Sequence, residues 1–180
     1  MINFDVVHEP KRDRHHFLLL NCHYMLISLT GCGKTNTLSN MLLQWMCPDK
    51  VAVYTINPDQ EKYQMLSDFF HAIKEESGEE ILEIRSPGNV IPVEELDDED
   101  EKVIVLDDIQ IDKKNMDRIK EYFSLSRNKK CCIYLCQSYY DVPKYIRCNS
   151  KRFCLFPSLD YRDVMNIATD HVKGISKVKF

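Results

Sequence analysis

The chain has 180 residues, of which 44% are apolar and 29% charged, and its formal net charge is −4. This length suits one domain with a buried core, and the composition excludes an intrinsically disordered protein. No apolar run approaches the roughly 18 residues that cross a bilayer. The run at 17–20 is short and lacks the cleavage site of a signal peptide. We therefore expect neither a membrane partner nor secretion.

The overall charge excludes a uniformly basic nucleic-acid-binding coat, but it hides an asymmetry. Residues 1–101 carry 8 basic and 19 acidic side chains, whereas residues 102–180 carry 16 basic and 9 acidic ones. Phosphate contacts need only one basic face, so a DNA partner stays open. The eight cysteines include no CxxC pair. We expect free thiols in a reducing, intracellular compartment and no structural zinc.

Short apolar runs alternate with amphipathic segments along the chain. The pattern predicts strands at 24–29, 51–56, 81–84, 103–106, 131–136 and 153–156. It predicts helices at 35–46, 59–74, 112–126, 142–147 and 160–171. The acidic run 94–101 is predicted to be a solvated loop. Alternation of strands and helices indicates one α/β domain over 24–180 with a mainly parallel sheet, after a lead-in segment at 1–23.

The first motif, SLTGCGKT at Ser28–Thr35, follows a predicted strand and opens a predicted helix. That context is typical of a phosphate-binding P-loop. Gly31 and Gly33 allow the loop amides, with Cys32 and Asn36 beside them, to turn toward phosphates. Lys34 would reach the β- and γ-phosphates, and Thr35 would offer its hydroxyl to Mg²⁺. Ser28 stands where the motif has glycine, and this difference could lower the affinity for a nucleotide. The alternative is a glycine-rich turn with a surface lysine.

The second motif is the apolar strand that ends in Asp107 and Asp108. Ligands bind at the carboxyl edge of open α/β sheets, so Asp107 would hold Mg²⁺ and Asp108 would polarise the attacking water. Gln137 follows the next buried strand and could sense the γ-phosphate, orient the water or cap a turn. Arg127 could stabilise transition-state charge in a neighbouring subunit. Arg147 and Arg152 are further candidates, and an ordinary surface cation is the expectation for any single one of the three.

These motifs in this order resemble the FtsK–HerA group of P-loop ATPases. The segment Gln137–Arg147 sharpens the resemblance, because it reads Q-S-[aromatic]-x-x-[apolar]-P-K-x-[apolar]-R. A similar stretch occurs in the genome-packaging ATPases of large double-stranded DNA viruses, of the poxvirus type, and in their relatives in virus-like transposons. The resemblance covers about residues 25–170, and its downstream segment is more specific than the nucleotide-binding motifs.

The resemblance implies a three-layer fold in which the Gln137 strand lies between the P-loop strand and the Asp107 strand. It implies a homo-oligomeric ring that hydrolyses Mg-ATP and pumps double-stranded DNA into a capsid, at a virion assembly site in the host cytoplasm or nucleus. Lys34 and Thr35 would bind nucleotide, and Asp107 would bind Mg²⁺. Asp108 would take the catalytic-acid place, Gln137 the sensor place, and Arg127 the trans-arginine place. Two alternatives stay open: a nucleotide-binding relative with an assembly role, and a small P-loop kinase.

Overall fold

The structure, a computed structural model, describes residues 22–46, 48–95, 102–109, 113–124 and 130–172. Its six strands are β1 (Tyr24–Ile27), β2 (Lys50–Thr55), β3 (Leu82–Arg85), β4 (Lys102–Asp107), β5 (Lys130–Cys136) and β6 (Arg152–Leu155). Its five α-helices are α1 (Lys34–Asn40), α2 (Glu61–Ser77), α3 (Lys113–Ser124), α4 (Lys144–Asn149) and α5 (Tyr161–His171). The α/β class is therefore confirmed.

The strands form one sheet in the order β3-β2-β4-β5-β1-β6, and every neighbouring pair is parallel. All residues of β1, β4 and β5 are buried. Strands that are covered on both faces can be apolar throughout, which is why the runs YMLI and CCIYLC stand out in the sequence. The strand that ends before Gln137 lies between the strand that ends before Ser28 and the strand that ends at Asp107.

Helices cover both faces of this sheet. Side chains that alternate along β1, β4 and β5 enter two separate cores, because successive residues of a strand point to opposite faces. One core contains residues of α1 and α2, and the other contains residues of α3, α4 and α5. The first core includes Leu38 and Leu66, and the second includes Ile119, Ile146 and Ile167. The parallel sheet is thus sandwiched between two helical layers.

Several elements differ from the predicted bounds. The predicted helix at 35–46 is α1 followed by a wider π-helical segment, Met41–Met46, that puts Met41, Leu42 and Met46 in the core. Helix α2 runs three residues further than predicted and ends at Ser77, because Gly78 has a φ of +77° that terminates it. The acidic run begins in a single 3₁₀ turn, Val93–Glu95. The remainder of that run, the end of the α3 prediction and the lead-in at 1–21 lie outside the described residues.

No helix in the described part of the chain is both long and apolar enough to cross a bilayer. No disulfide is formed among the described cysteines, and three of them, Cys131, Cys132 and Cys136, are buried in β5. Burial raises the pKa of the Cys136 thiol to about 12, so this side chain is a protonated core residue at neutral pH.

Candidate functional site

The carboxyl ends of β1, β4 and β5 are neighbours, because these strands are adjacent and parallel. Two backbone hydrogen bonds tie the segments that follow them. The Ser28 amide donates to the Cys136 carbonyl at 3.2 Å, and the Asp108 amide donates to the Leu135 carbonyl at 3.2 Å. The loop after β1, the acidic pair after β4 and the residue after β5 are therefore assembled at one edge of the sheet.

The loop Ser28–Gly33 (the β1–α1 loop) depends on its glycines. Gly31 and Gly33 have φ values of +80° and +95°, a region that other residues adopt only with strain. Ser28 is fully buried, and its hydroxyl donates to the Leu29 carbonyl at 3.1 Å. Outside glycine, Asp108 is the one described residue with a positive φ, so Ser28 does not adopt a glycine conformation. Serine at this position therefore fits the backbone without strain.

Lys34 is the first residue of α1, and it folds back over the β1–α1 loop. Its ammonium group donates to the Ser28 carbonyl and lies 3.4 Å from the Leu29 carbonyl. The side chain is only 8% exposed, so Lys34 is not a surface lysine. Thr35 follows it and is half-buried, whereas Cys32 and Asn36 are exposed. The loop thus places a buried positive charge and a hydroxyl next to two glycines with positive φ.

Asp107 is a buried carboxylate with identifiable partners. Its Oδ2 accepts a hydrogen bond from the Tyr63 hydroxyl at 2.6 Å, and Thr55 lies in register with it on the neighbouring strand. Burial raises the pKa of Asp107, as does the nearby charge of Asp108. The hydrogen bonds from Tyr63 and Thr55 and the positive charge of Lys34 act in the opposite direction. Asp107 is therefore held by polar contacts and lies within electrostatic range of Lys34.

Asp108 and Gln137 are in direct contact. The Gln137 Nε2 donates to the Asp108 Oδ2 at 3.1 Å. Asp108 adopts a φ of +46°, a left-handed conformation that aspartate tolerates better than most residues. This turn directs the chain away from β4 immediately after Asp107. The second acid of the pair is thereby separated from the first and paired with the amide at the end of β5.

The segment after Gln137 holds α4 and α5 against this edge. The Ser138 hydroxyl donates to Asp163 at 3.3 Å, and the buried Tyr139 hydroxyl donates to Asp170 at 2.8 Å. Arg147 forms an ion pair with Asp170 at 2.9 Å and lies 4.9 Å from the centre of the Tyr139 ring. Ser138, Tyr139 and Arg147 therefore attach α5, whereas Gln137 contacts the acidic pair.

The three candidate arginines have different positions. Arg127 lies outside the described residues. Arg147 forms an ion pair with Asp170 and a cation–π contact with the Tyr139 ring, so both of these partners belong to its own subunit. Arg152 is exposed at the beginning of β6, and the opposite end of that strand is the one near the β1–α1 loop. The structure does not bring Arg147 or Arg152 to the Asp107 edge.

The groups present suit a magnesium-nucleotide. A hydroxyl and carboxylates are the oxygen ligands that Mg²⁺ prefers. Thr35 follows the β1–α1 loop and Asp107 ends β4, and β5 is the one strand between β1 and β4. Neither Gly31 nor Gly33 has an atom within 4 Å of the place a Cβ would occupy, so both glycines border open space. No cluster of three or more histidine, cysteine or acidic side chains that could hold a metal is found among the described residues. A metal here would complete its coordination with phosphate oxygens and water.

Two residues of this edge were not singled out from the sequence. The helical spacing of α2 already explains Tyr63 as a core residue, so nothing in the sequence indicates a separate role for its hydroxyl. Thr55 ends the β-branched strand β2, directly in register with Asp107. A polar residue at the carboxyl end of an otherwise buried strand is the signal that could have identified it.

No protein-family model matches the chain, and no curated protein is significantly similar to it.

Proposed function

We propose that this chain is a magnesium-dependent ATPase whose hydrolysis drives the movement of double-stranded DNA. The observation that carries the proposal is the assembly of the Lys34 loop, the Asp107–Asp108 pair and Gln137 at one sheet edge. The position of β5 between β1 and β4 supports it, because this is the strand order that the resemblance implies. The same resemblance leads us to propose a homo-oligomeric ring that packages a viral genome into a capsid.

Each residue has a distinct task in this proposal. The β1–α1 loop binds the phosphates through its amides, and Lys34 moves its ammonium group from the Ser28 carbonyl to phosphate oxygens. Thr35 and Asp107 hold Mg²⁺, which would supply charge neutralisation for the leaving and transferred phosphates. Asp108 accepts a proton from the attacking water. Gln137, already bonded to Asp108, orients that water and responds to the γ-phosphate.

The ATPase proposal is tested by single-residue variants with matched controls. Asp108→Asn keeps an acceptor for Gln137 and tolerates the positive φ, so only the charge is lost. We expect it to bind ATP normally and to hydrolyse it about 10²–10⁴-fold more slowly, the usual contribution of a general base. Asp141→Asn, at an exposed acid in the turn after β5, is the control and should retain wild-type turnover. Equal turnover in both variants would refute the role of Asp108.

Lys34→Ala tests the binding step. A hydrogen bond to a charged group contributes about 1.5–3 kcal/mol, so ATP affinity should fall by about tenfold or more. Lys62→Ala, at an exposed lysine of α2, is the control. A fluorescent ATP analogue titrated into each protein gives the affinity. Unchanged affinity in Lys34→Ala would remove the basis of the nucleotide site.

The DNA part of the proposal has a separate test. Turnover of the wild-type protein should rise when duplex DNA is added at low salt, and the stimulation should weaken as salt releases phosphate contacts. Turnover that is indifferent to duplex DNA under these conditions would refute the motor and leave the ATPase intact.

The trans-arginine proposal requires mixed rings. A site in an Arg127→Ala subunit would be completed by Arg127 of a Lys34→Ala neighbour, so mixing the two inactive proteins should restore part of the turnover. A genuine trans arginine contributes about 10³–10⁵ in rate, which makes the restored activity easy to measure. Absence of rescue at every ratio would refute Arg127 in this role.

A second candidate is a nucleotide-binding protein with an assembly role and no hydrolysis. The observation that favours it is that the Asp108 carboxylate is occupied by Gln137. In that case Lys34→Ala weakens nucleotide binding, whereas wild type and Asp108→Asn show the same negligible turnover.

A further inference from the structure

Tyr63 reaches Asp107 from the helical layer formed by α1 and α2. It lies on α2, is fully buried, and is separated from Asp107 by 44 positions in the chain. Its hydroxyl lies 2.6 Å from the Asp107 Oδ2, which is a short, charge-assisted hydrogen bond. An ionised carboxylate has no hydrogen to give, so the phenol is the donor. Burial and the charge of Asp107 raise the pKa of Tyr63, which keeps the phenol protonated.

Thr55 supplies a second donor from β2. Its Oγ1 accepts the Asn57 amide at 3.2 Å, so its own hydrogen is directed elsewhere. Thr55 is in register with Asp107 on the neighbouring strand, so its hydroxyl is placed to donate to that carboxylate, and it lowers the pKa of Asp107. A carboxylate has about four lone-pair sites. Tyr63 uses one of them and Thr55 is placed to use a second, and the remainder are left for a cation or its water.

We infer that Tyr63 and Thr55 are positioning residues that fix the Asp107 carboxylate for a divalent cation. This inference rests on the proposed function, because it takes Asp107 as the magnesium ligand. Partners of a ligating carboxylate restrict its rotation, and their loss typically lowers metal affinity by about 10–100-fold. The two donors come from α2 and β2, so the cation site is built by elements outside the β1–α1 loop and β4.

The test compares two variants in which a buried tyrosine loses its hydroxyl group. Tyr63→Phe removes the hydroxyl and keeps the ring. Tyr122→Phe is the matched control, because Tyr122 is also fully buried and its hydroxyl donates to the Ile91 carbonyl at 2.6 Å, away from Asp107. Binding of a fluorescent ATP analogue is measured against Mg²⁺ concentration, without any turnover. Thermal unfolding of each variant confirms that it is folded.

We expect Tyr63→Phe to raise the half-saturating Mg²⁺ concentration about tenfold or more, with unchanged nucleotide affinity in the absence of Mg²⁺. Tyr122→Phe should match the wild type. Thr55→Val should also raise the half-saturating Mg²⁺ concentration. Thr55→Ser, which keeps the hydroxyl, should have the wild-type value. These two variants carry the test if Tyr63→Phe does not fold.

Two results would overturn the inference while the proposed function stands. One is a Mg²⁺ requirement in Tyr63→Phe and Thr55→Val equal to that of Tyr122→Phe, which would make both residues packing groups. The other is a lower requirement, which would mean that Tyr63 blocks Asp107. A wild-type protein that binds the analogue without any dependence on Mg²⁺ would overturn both the inference and the magnesium site.

Discussion

Acidification should destabilise this protein through His23. The side chain is fully buried, its Nδ1 accepts a hydrogen bond from the Cys132 amide at 3.0 Å, and its ring centre lies 4.8 Å from that of Phe123. Burial lowers the pKa of His23 from 6.5 to about 4, and the positive charge of Lys151 adds to this, whereas the Phe123 backbone opposes it. A proton on Nδ1 would also abolish the bond to Cys132.

The magnitude follows from the two pKa values of His23. Above pH 6.5 the ring is neutral in the folded and the unfolded chain. As the pH falls below 6.5 only the unfolded chain takes up the proton, so stability is lost until the folded ring titrates near pH 4. Each pH unit between these values contributes about 1.4 kcal/mol, which gives a loss of about 3 kcal/mol. That is a large part of the stability of a small domain.

The assay is urea unfolding of wild type and His23→Asn at a series of pH values. Asparagine keeps an acceptor for Cys132 and does not titrate, although it fills less of the space beside Phe123. It should therefore be less stable than wild type at neutral pH, and this deficit should shrink by about 3 kcal/mol toward pH 4. His71→Asn, at an exposed histidine, should stay within about 0.5 kcal/mol of wild type throughout. A deficit for His23→Asn that is constant across the range would refute the reasoning.

Three further substitutions test the loop and the α5 attachment. Gly33→Ala should cost about 1–2 kcal/mol in urea unfolding, because its φ of +95° is unfavourable for alanine, whereas Gly88→Ala, without a positive φ, should be close to neutral. Ser28→Gly should leave ATP affinity within about twofold, since the position needs no glycine conformation. It should lower the free energy of unfolding by roughly 0.5–1 kcal/mol, because glycine loses more conformational freedom on folding. A large gain in ATP affinity would contradict this. Arg147→Ala should lower stability by about 1–3 kcal/mol and speed hydrogen exchange in α5, because Asp170 loses its ion pair; unchanged exchange in α5 would contradict that role.

The α/β class and the parallel sheet were predictable because the central strands are apolar on both sides. Runs such as VIVL and CCIYLC have no amphipathic alternation and are too short for helices, so few other assignments fit them. The edge strands are less distinctive. Strand β6 begins at the exposed Arg152 and ends at the exposed Leu155, and the prediction placed it one residue late. An edge strand has a water-exposed side, so its sequence specifies its ends weakly.

The candidate site was predictable where its residues follow one another in the chain. Gly31, Gly33 and Lys34 form a local pattern, and its place between a strand and a helix is what predicts a phosphate-binding loop. Tyr63 was not predictable, because its contact with Asp107 depends on how α2 packs over the end of β4. An amphipathic helix signals which residues face the core, but it does not signal which buried hydroxyl meets a carboxylate from another element.

The end of β5 fixes the relative positions of the segments that form the candidate site. Its last two carbonyls face opposite neighbours: Leu135 accepts the Asp108 amide, and Cys136 accepts the Ser28 amide. A deletion or insertion of one residue in β5 would exchange these directions and turn its side chains to the other face. Substitutions within the strand need only keep it apolar, whereas a change in its length would separate the three segments. Distant relatives of this protein should therefore vary in the residues of this strand far more than in their number.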